Sequence, residues 1–227
     1  MIHILYRHTE NTSGVGKSRP KWFSYENSLN NILNTIENRD DVTFHLIYDG
    51  TYVDNDSRIH KVVEFKGGSD KASFFFTWEY AKQLKLEDKD LVYFCENDYL
   101  HISDWVDKVL NLYETYNIPG YVSLYDHKDK YVSPMYSDLQ SQIYVTNSSH
   151  WRTVPSTCGS FVVNKDILHQ DYDVHTTFYS DHDKFIELGK TRNRIIITPM
   201  PSLSTHCEIE WLAPLINWEH VNSNFKS

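Results

Sequence analysis

An apolar run from Leu91 to Cys95 passes straight into Glu96-Asn97-Asp98. Carboxylates at the first and third positions of an extended turn can point the same way, and a hard divalent cation such as Mn2+ or Mg2+ takes oxygen ligands placed like that. An ion held there would bridge a diphosphate and neutralise charge on the leaving group. The plainer reading of the same residues is an acidic loop after a core strand. Near the N-terminus Arg7, Lys17, Arg19 and Lys21 stand beside only one acid, Glu10, so a phosphorylated ligand could be held there, although a solvated basic loop would look the same.

The elements that must position these residues follow from hydrophobic period. Apolar runs of strand length alternate with stretches of helical period, an order that gives an α/β fold with a largely parallel sheet flanked by helices. Ile2 to Tyr6 reads as the first strand, and Leu29, Ile32, Leu33 and Ile36 recur at helical spacing. Val42 to Tyr48 is a second strand ending at Asp49-Gly50, and Ile59 to Phe65 a third. After Gly67-Gly68, Ser69 or Asp70 caps a helix whose buried face carries Phe74, Trp78, Ala81 and Leu84. Leu91 to Cys95 is a buried strand, Ser103 caps a helix carrying Val106, Val109, Leu110 and Tyr113, and Gly120 to Tyr125 is another strand. Beyond about Asp126 the rhythm breaks into Ser-, Tyr- and Asn-rich segments with Pro134 and Pro155, which predicts loops and short antiparallel strands. Order returns with Gly159 to Val163, a helix from about Ser180 to Leu188, and a strand at Arg194 to Thr198. In open parallel sheets ligands gather at the carboxyl ends of the strands. Arg7, Asp49, Glu96, Asn97, Asp98 and Asp126 are the polar residues at those ends.

The 227 residues carry no linker between halves of differing composition, which predicts one domain. With 22 Lys+Arg against 31 Asp+Glu the formal charge is −9, which disfavours a protein that coats nucleic acid through phosphate contacts alone. Cys95, Cys158 and Cys207 are odd in number and far apart, so neither a disulfide framework nor a Cys-rich zinc site is suggested, and a reducing cytoplasm fits. No signal-peptide pattern opens the chain and no apolar run approaches bilayer length. The Asn-, Lys-, Tyr- and Ile-rich composition is compatible with an AT-rich genome, a phage included.

Glu96-Asn97-Asp98 resembles the D-x-D metal motif of GT-A glycosyltransferases, with Glu in place of the first Asp. Four further segments fall in the order that such a Rossmann-like fold requires. Asp49 sits where those enzymes use an acid to bind the nucleotide base, and Lys71 follows Gly67-Gly68-Ser69-Asp70 in the segment that borders nucleotide and sugar. Ser180-Asp181-His182-Asp183 resembles the Glu-Asp pair of inverting members, with Ser180 for the usual Glu. There Asp181 would be the general base and Asp183 its reserve; the alternative is simple N-capping by Ser180. The segment from Thr198 to Trp218 resembles the C-terminal part of family-2-like members and places His206 where a histidine can complete the metal site of Glu96 and Asp98. The resemblance covers roughly residues 2 to 218. It implies a nucleotide-sugar half over 1–126, with Arg7, Arg19, Asp49, Lys71 and Asn97 around the donor, and a loop-rich acceptor half over 127–227. It also implies a nucleotide-sugar donor, a UDP-sugar first, with Mn2+ or Mg2+. The hydroxyl acceptor would be a glycan, a small molecule or a hydroxymethylated DNA base, with no membrane partner. Trp22 would line the nucleotide, and Trp151 and Trp211 could stack a sugar or base, although a core or rim role suits both.

Rival readings remain open at this point. Gly14-Val15-Gly16-Lys17-Ser18 copies the end of the phosphate-cradling loop of a P-loop kinase, but the first glycine of that pattern falls at Asn11, and Pro20 would have to sit in the first turn of the following helix. A metal-dependent phosphoesterase could use Glu96, Asp98, Asp183 and His206. A non-catalytic module of the same fold would bind donor or acceptor without turnover.

Overall fold

The computed structural model describes residues 1–10 and 16–224. Strand β1 (Ile2–Thr9) separates two buried clusters: Ile4 and Tyr6 face one core, and Leu5 faces the other. Helix α1 (Tyr25–Thr35) follows, with the Ser24 side chain accepting from the Asn27 N–H at its start. Next come β2 (Val42–Asp49), β3 (Lys61–Phe65) and α2 (Asp70–Lys82), the last capped by Ser69. After them run β4 (Leu91–Glu96), β5 (Tyr99–His101), α3 (Trp105–Thr115) and β6 (Gly120–Val122). The second half holds α4 (Asp129–Val132), β7 (Ile143–Val145), β8 (His150–Val154), β9 (Phe161–Asn164) and α5 (Lys165–Gln170). It closes with α6 (Tyr172–Thr177), α7 (Asp181–Arg192), β10 (Ile195–Met200), β11 (Ser204–His206) and α8 (Trp218–Ser223).

Nine strands form one sheet in the order β3-β2-β1-β4-β9-β6-β10-β8-β7, and β5 pairs with β11 in a separate two-stranded ribbon. The pairs β3·β2, β2·β1, β1·β4 and β6·β10 are parallel. Strand β9 runs antiparallel to both β4 and β6, so β4 and β6 point the same way, and β8 runs antiparallel to both β10 and β7. The result is the α/β architecture expected, a large, mostly parallel sheet flanked by helices. One face is covered by α1, α3 and α8 through Ile32, Val109 and Trp218, the other by α2, α5, α6 and α7 through Trp78, Leu168, Val174 and Leu188.

Several expectations shift. The helix after β5 is preceded by Asp104, not Ser103, and no side chain caps it. The third strand begins at Lys61, and most of its residues are exposed, as an outermost strand allows. The run from Gly120 is strand only to Val122, because Ser123 turns to share its hydroxyl with Tyr125. Trp151 is fully buried in the core. Gly14 and Val15 lie outside the described residues. Lys17-Ser18 does not open a helix: α1 starts only at Tyr25, so the strand–loop–helix order of a P-loop is missing there.

Candidate functional site

The chain steps from β1 outward through β2 to β3 and then returns to the other side of β1 with β4. At such a reversal the connecting loops part and leave a crevice at the carboxyl ends of the strands. Strand register sets Arg7 opposite Glu96 at that end. The Arg7 guanidinium, only 5% exposed, donates to Glu96 Oε1 at 2.5 Å and to Asp70 Oδ1 at 2.9 Å, which ties β1 and β4 to the first turn of α2. Tyr179 donates its hydroxyl to the other oxygen of Asp70. Burial pushes the Glu96 carboxyl up against the pull of Arg7. Burial would lower Arg7, but Glu96 and Asp70 outweigh it and raise it.

Close approach of backbone to this ion pair needs Gly159, where a Cβ would lie 2.9 Å from Glu96 Oε1 and 3.3 Å from Arg7 Nη2. Gly159→Ala is therefore expected to push Glu96 off Arg7 and to destabilise by about 1–3 kcal/mol, the usual range for overpacking. Urea denaturation would read it as a lower midpoint at unchanged slope; an unmoved midpoint would show that Glu96 yields without loss.

The second half of the site is built by the β5·β11 ribbon. Its register sets Tyr99 opposite His206, and the Cys207 N–H donates to the Asp98 carbonyl at 2.8 Å, so Asp98 and His206, 108 positions apart, meet. Asp98 is 3% exposed, and its Oδ2 lies 3.0 Å from Lys17 Nζ, 2.7 Å from Arg19 Nη2 and 2.9 Å from His206 Nε2. Burial alone would raise Asp98, but the His206 hydrogen bond and the charges of His206, Lys17 and Arg19 hold its carboxyl far below the usual carboxylate range. Arg19 also donates to the Cys207 carbonyl at 2.8 Å and lies over the Phe23 ring.

Asp98 Oδ1 is buried and accepts nothing from the described residues. A buried carboxylate oxygen without a donor costs free energy unless a ligand takes it. With the His206 imidazole it makes an oxygen and nitrogen set of the kind Mn2+ accepts, but His206 Nε2 is bonded to Asp98 Oδ2 and Lys17 and Arg19 hold that same oxygen, so a divalent cation would have to displace them. Glu96 does not join Asp98 and His206: its carboxylate is turned to Arg7, and among the described residues no three Asp, Glu, His or Cys side chains form a cluster that could enclose an ion. The expected ligand set Glu96, Asp98 and His206 is thus brought together only as Asp98 with His206. Sequence pattern supplies the strand end but not the direction in which Glu96 points.

The other expected residues are placed as follows. Asp49 accepts the N–H groups of Gly67 and Gly68 at 2.8 and 2.7 Å and so shapes the turn before α2; its carboxylate is committed to the backbone. Asn97 lies 2.9 Å from His8 through its side chain and accepts from the Tyr6 hydroxyl with its carbonyl. The Lys71 ammonium is near the rings of Phe75 and Tyr179. Trp22 is partly buried and packs against the core. Trp211 is half-buried, its ring 5.1 Å from that of His127. Asp126 is spent on Arg152 and on the Tyr131 hydroxyl.

Ser180 caps α7 by accepting from the Asp183 N–H, and Asp183 itself is exposed. Asp181 is half-exposed and lies 2.9 Å from the ammonium of Lys184, a lysine with no exposed surface whose Nζ stands 3.8 Å from the Phe74 ring centre. The charge of Asp181 acts on Arg7, Glu96 and the Cys158 thiol, so it lies near the Arg7–Glu96 pair. Burial lowers Lys184 while Asp181 opposes the fall. Lys184, Asp70 and Tyr179 were not singled out by sequence as working residues; a lysine at a core-facing position three residues after Asp181 is the signal that was there to read.

No family model matches the sequence, and a search of curated proteins returns no match. Among solved structures the chain is similar to the inositol-1-phosphate CTP transferase from T. maritima, with 14% identity and a TM-score of 0.52 over 99% of this chain and 96% of that one. It is also similar to the 2-C-methyl-D-erythritol 4-phosphate cytidylyltransferase of Francisella tularensis, at 11% identity and a TM-score of 0.47 over 99% and 98% of the two chains. At these identities the likeness is one of fold.

Proposed function

We propose that this chain is a metal-dependent glycosyltransferase that moves a sugar from a nucleotide-sugar, a UDP-sugar first, to a hydroxyl acceptor. The observation that carries the reading is the Asp98 carboxylate at the crevice. One of its oxygens is surrounded by Lys17, Arg19 and His206, and the other is buried without a donor among the described residues. A nucleotide substrate is the broader part of the reading, and the fold shared with a CTP transferase supports it.

In this reading Asp98 and His206 hold Mn2+ or Mg2+. The ion, when bound, supplies neutralisation of the diphosphate leaving group. Lys17 and Arg19 bind the phosphate oxygens. Arg7 fixes Glu96 and the start of α2, which carries Lys71 toward the donor, and Asp49 shapes the Gly67-Gly68 turn beside it. Asp181, steadied by Lys184, accepts the proton of the acceptor hydroxyl. The acceptor oxygen then forms its bond to the anomeric carbon from the face opposite the diphosphate, and the bond from that carbon to the phosphate oxygen breaks. The electron pair leaves with the nucleoside diphosphate, so configuration inverts. With a net charge of −9, a glycan or small molecule stays ahead of a hydroxymethylated DNA base as acceptor.

The test is a panel of nucleotide-sugars with Mn2+, read by release of nucleoside diphosphate. Asp181→Asn is expected to keep donor binding and to lose transfer by about 100- to 10,000-fold, the usual contribution of a general base. Normal transfer by that variant would remove Asp181 from the role. A second reading, nucleotidyl transfer from CTP to a sugar phosphate, is favoured by the fold likeness and by the basic residues directly after β1. Pyrophosphate release from a nucleoside triphosphate, with no diphosphate released from any sugar donor, would establish it instead.

A further inference from the structure

Asp181 is the first residue of α7, and the chain reaches it through Phe178, Tyr179 and Ser180. Among the described residues, nearly every hydrogen bond and ion pair of residues 178–183 stays within α7 and its cap or returns to the helix before it. The Phe178 N–H donates to the Val174 carbonyl at 2.9 Å, Ser180 accepts from the Asp183 N–H, and Asp181 pairs with Lys184. One bond crosses to a distant element. Tyr179 donates its hydroxyl to the carboxylate of Asp70, the first residue of α2.

That carboxylate is itself held in place. Its other oxygen takes a hydrogen from the Arg7 guanidinium at 2.9 Å, and Arg7, 5% exposed, is locked in turn to Glu96 at the end of β4. The Tyr179 ring stands edge-on to Phe74 and Phe75 of α2, with centres 6.3 and 6.4 Å away. Rings at such distances tolerate sliding, whereas a hydrogen bond to a carboxylate is directional and charge-assisted. The hydroxyl is therefore the contact that fixes the turn. Burial and the Asp70 carboxylate push that hydroxyl above its ordinary range, so it keeps the hydrogen it donates through neutral pH.

We propose that Tyr179 is the positioning residue for Asp181: its hydroxyl ties the turn before α7 to the start of α2 and so sets where the Asp181 carboxylate stands. This rests on the reading of Asp181 as the general base. Tyr179 takes no proton from the acceptor and acts through Asp181 alone. A base displaced by about 1 Å costs on the order of 100-fold in rate, so a hydroxyl two residues before it in the chain carries weight that a surface hydrogen bond otherwise lacks. Helix α2 also bears Lys71, so the same bond joins the helix assigned to the donor with the helix assigned to the acceptor.

Tyr179→Phe tests this, because it keeps the ring and removes only the hydroxyl. In the full chain without ligand, amide hydrogen exchange over residues 178–183 is expected to speed up about tenfold, the factor that accompanies loss of one hydrogen bond to a charged group. Amides around Leu188 should not change. In the transfer assay kcat should fall about tenfold while KM for the donor stays within about twofold, the pattern of an interaction made in the transition state. Tyr179→Phe added to Asp181→Asn should cost nothing beyond Asp181→Asn alone, because a residue that acts only through Asp181 has nothing left to position. Unchanged exchange over 178–183, or a double variant about tenfold slower than Asp181→Asn alone, would overturn the positioning role. The exchange measurement needs no sugar donor and keeps two failures apart. Normal transfer by Asp181→Asn with faster exchange in Tyr179→Phe removes the base and leaves the tether; unchanged exchange with transfer lost in Asp181→Asn removes the tether and leaves the base.

Discussion

Asp98→Asn is expected to lower the proposed sugar transfer by about 1,000-fold or more, some 4 kcal/mol of barrier, with the protein still folded. The side chains are nearly isosteric, so the packing around a residue 3% exposed is kept. The charge is what disappears. Lys17 and Arg19, drawn to Asp98 Oδ2 at 3.0 and 2.7 Å, lose the anion that fixes them, and the buried Oδ1 loses its capacity to take a cation. The expected signature separates this variant from Asp181→Asn. In a thermal-shift assay a ligand that binds the native state raises the midpoint by mass action. Asp98→Asn should lose the metal-dependent shift with a nucleotide-sugar, and Asp181→Asn should keep it. A full shift in Asp98→Asn would dissolve the cation site on which the proposed chemistry stands.

What could be read from the sequence was what depends on local period. Apolar Leu91 to Cys95 running into Glu96 marks the strand end, and Ser69 and Ser180 mark two helix starts, because a cap and a burial pattern are written within a few residues. The direction of β9 was not legible, since three apolar residues in a row fit a strand of either sense. Nor was the partner of Glu96. Arg7 and Glu96 are 89 positions apart, and Arg7 and Asp70 63, so their pairing is a product of the sheet order rather than of any spacing. Asp49 shows the same limit in reverse. It closes β2 where a ligand-facing acid was expected, yet both its oxygens are taken by the Gly67 and Gly68 N–H groups of the loop it anchors. Asp98 and His206 were expected in one site through resemblance alone; the physical cause is the β5·β11 ribbon, too short to announce itself by period.

Acid should unfold this protein well above the range in which carboxylates titrate. Burial lowers His8 and His45 to about 4 and His101 to about 3. His101 is held between strand and helix with Nε2 on the Tyr93 hydroxyl at 2.7 Å, and no water reaches it. In the unfolded chain a histidine titrates near 6.5. Each of these three groups is therefore protonated in the unfolded state at a pH where the native state keeps it neutral, and stability rises with pH wherever the unfolded state binds more protons. The contribution is complete above about pH 6.5 and is lost as pH falls from there toward 4. At about 1.4 kcal/mol per pH unit for each proton, three histidines remove roughly 4 kcal/mol per unit around pH 5, against a total stability on the order of 5–15 kcal/mol for a domain. Urea denaturation at pH 7.5, 6 and 5 should show the midpoint falling steeply over the last unit, and His101→Gln should reduce that slope by the share of one proton. A midpoint that stays level down to pH 5 would mean that these rings take up protons in place, and that the core around β1 and β4 is wetter than its packing indicates.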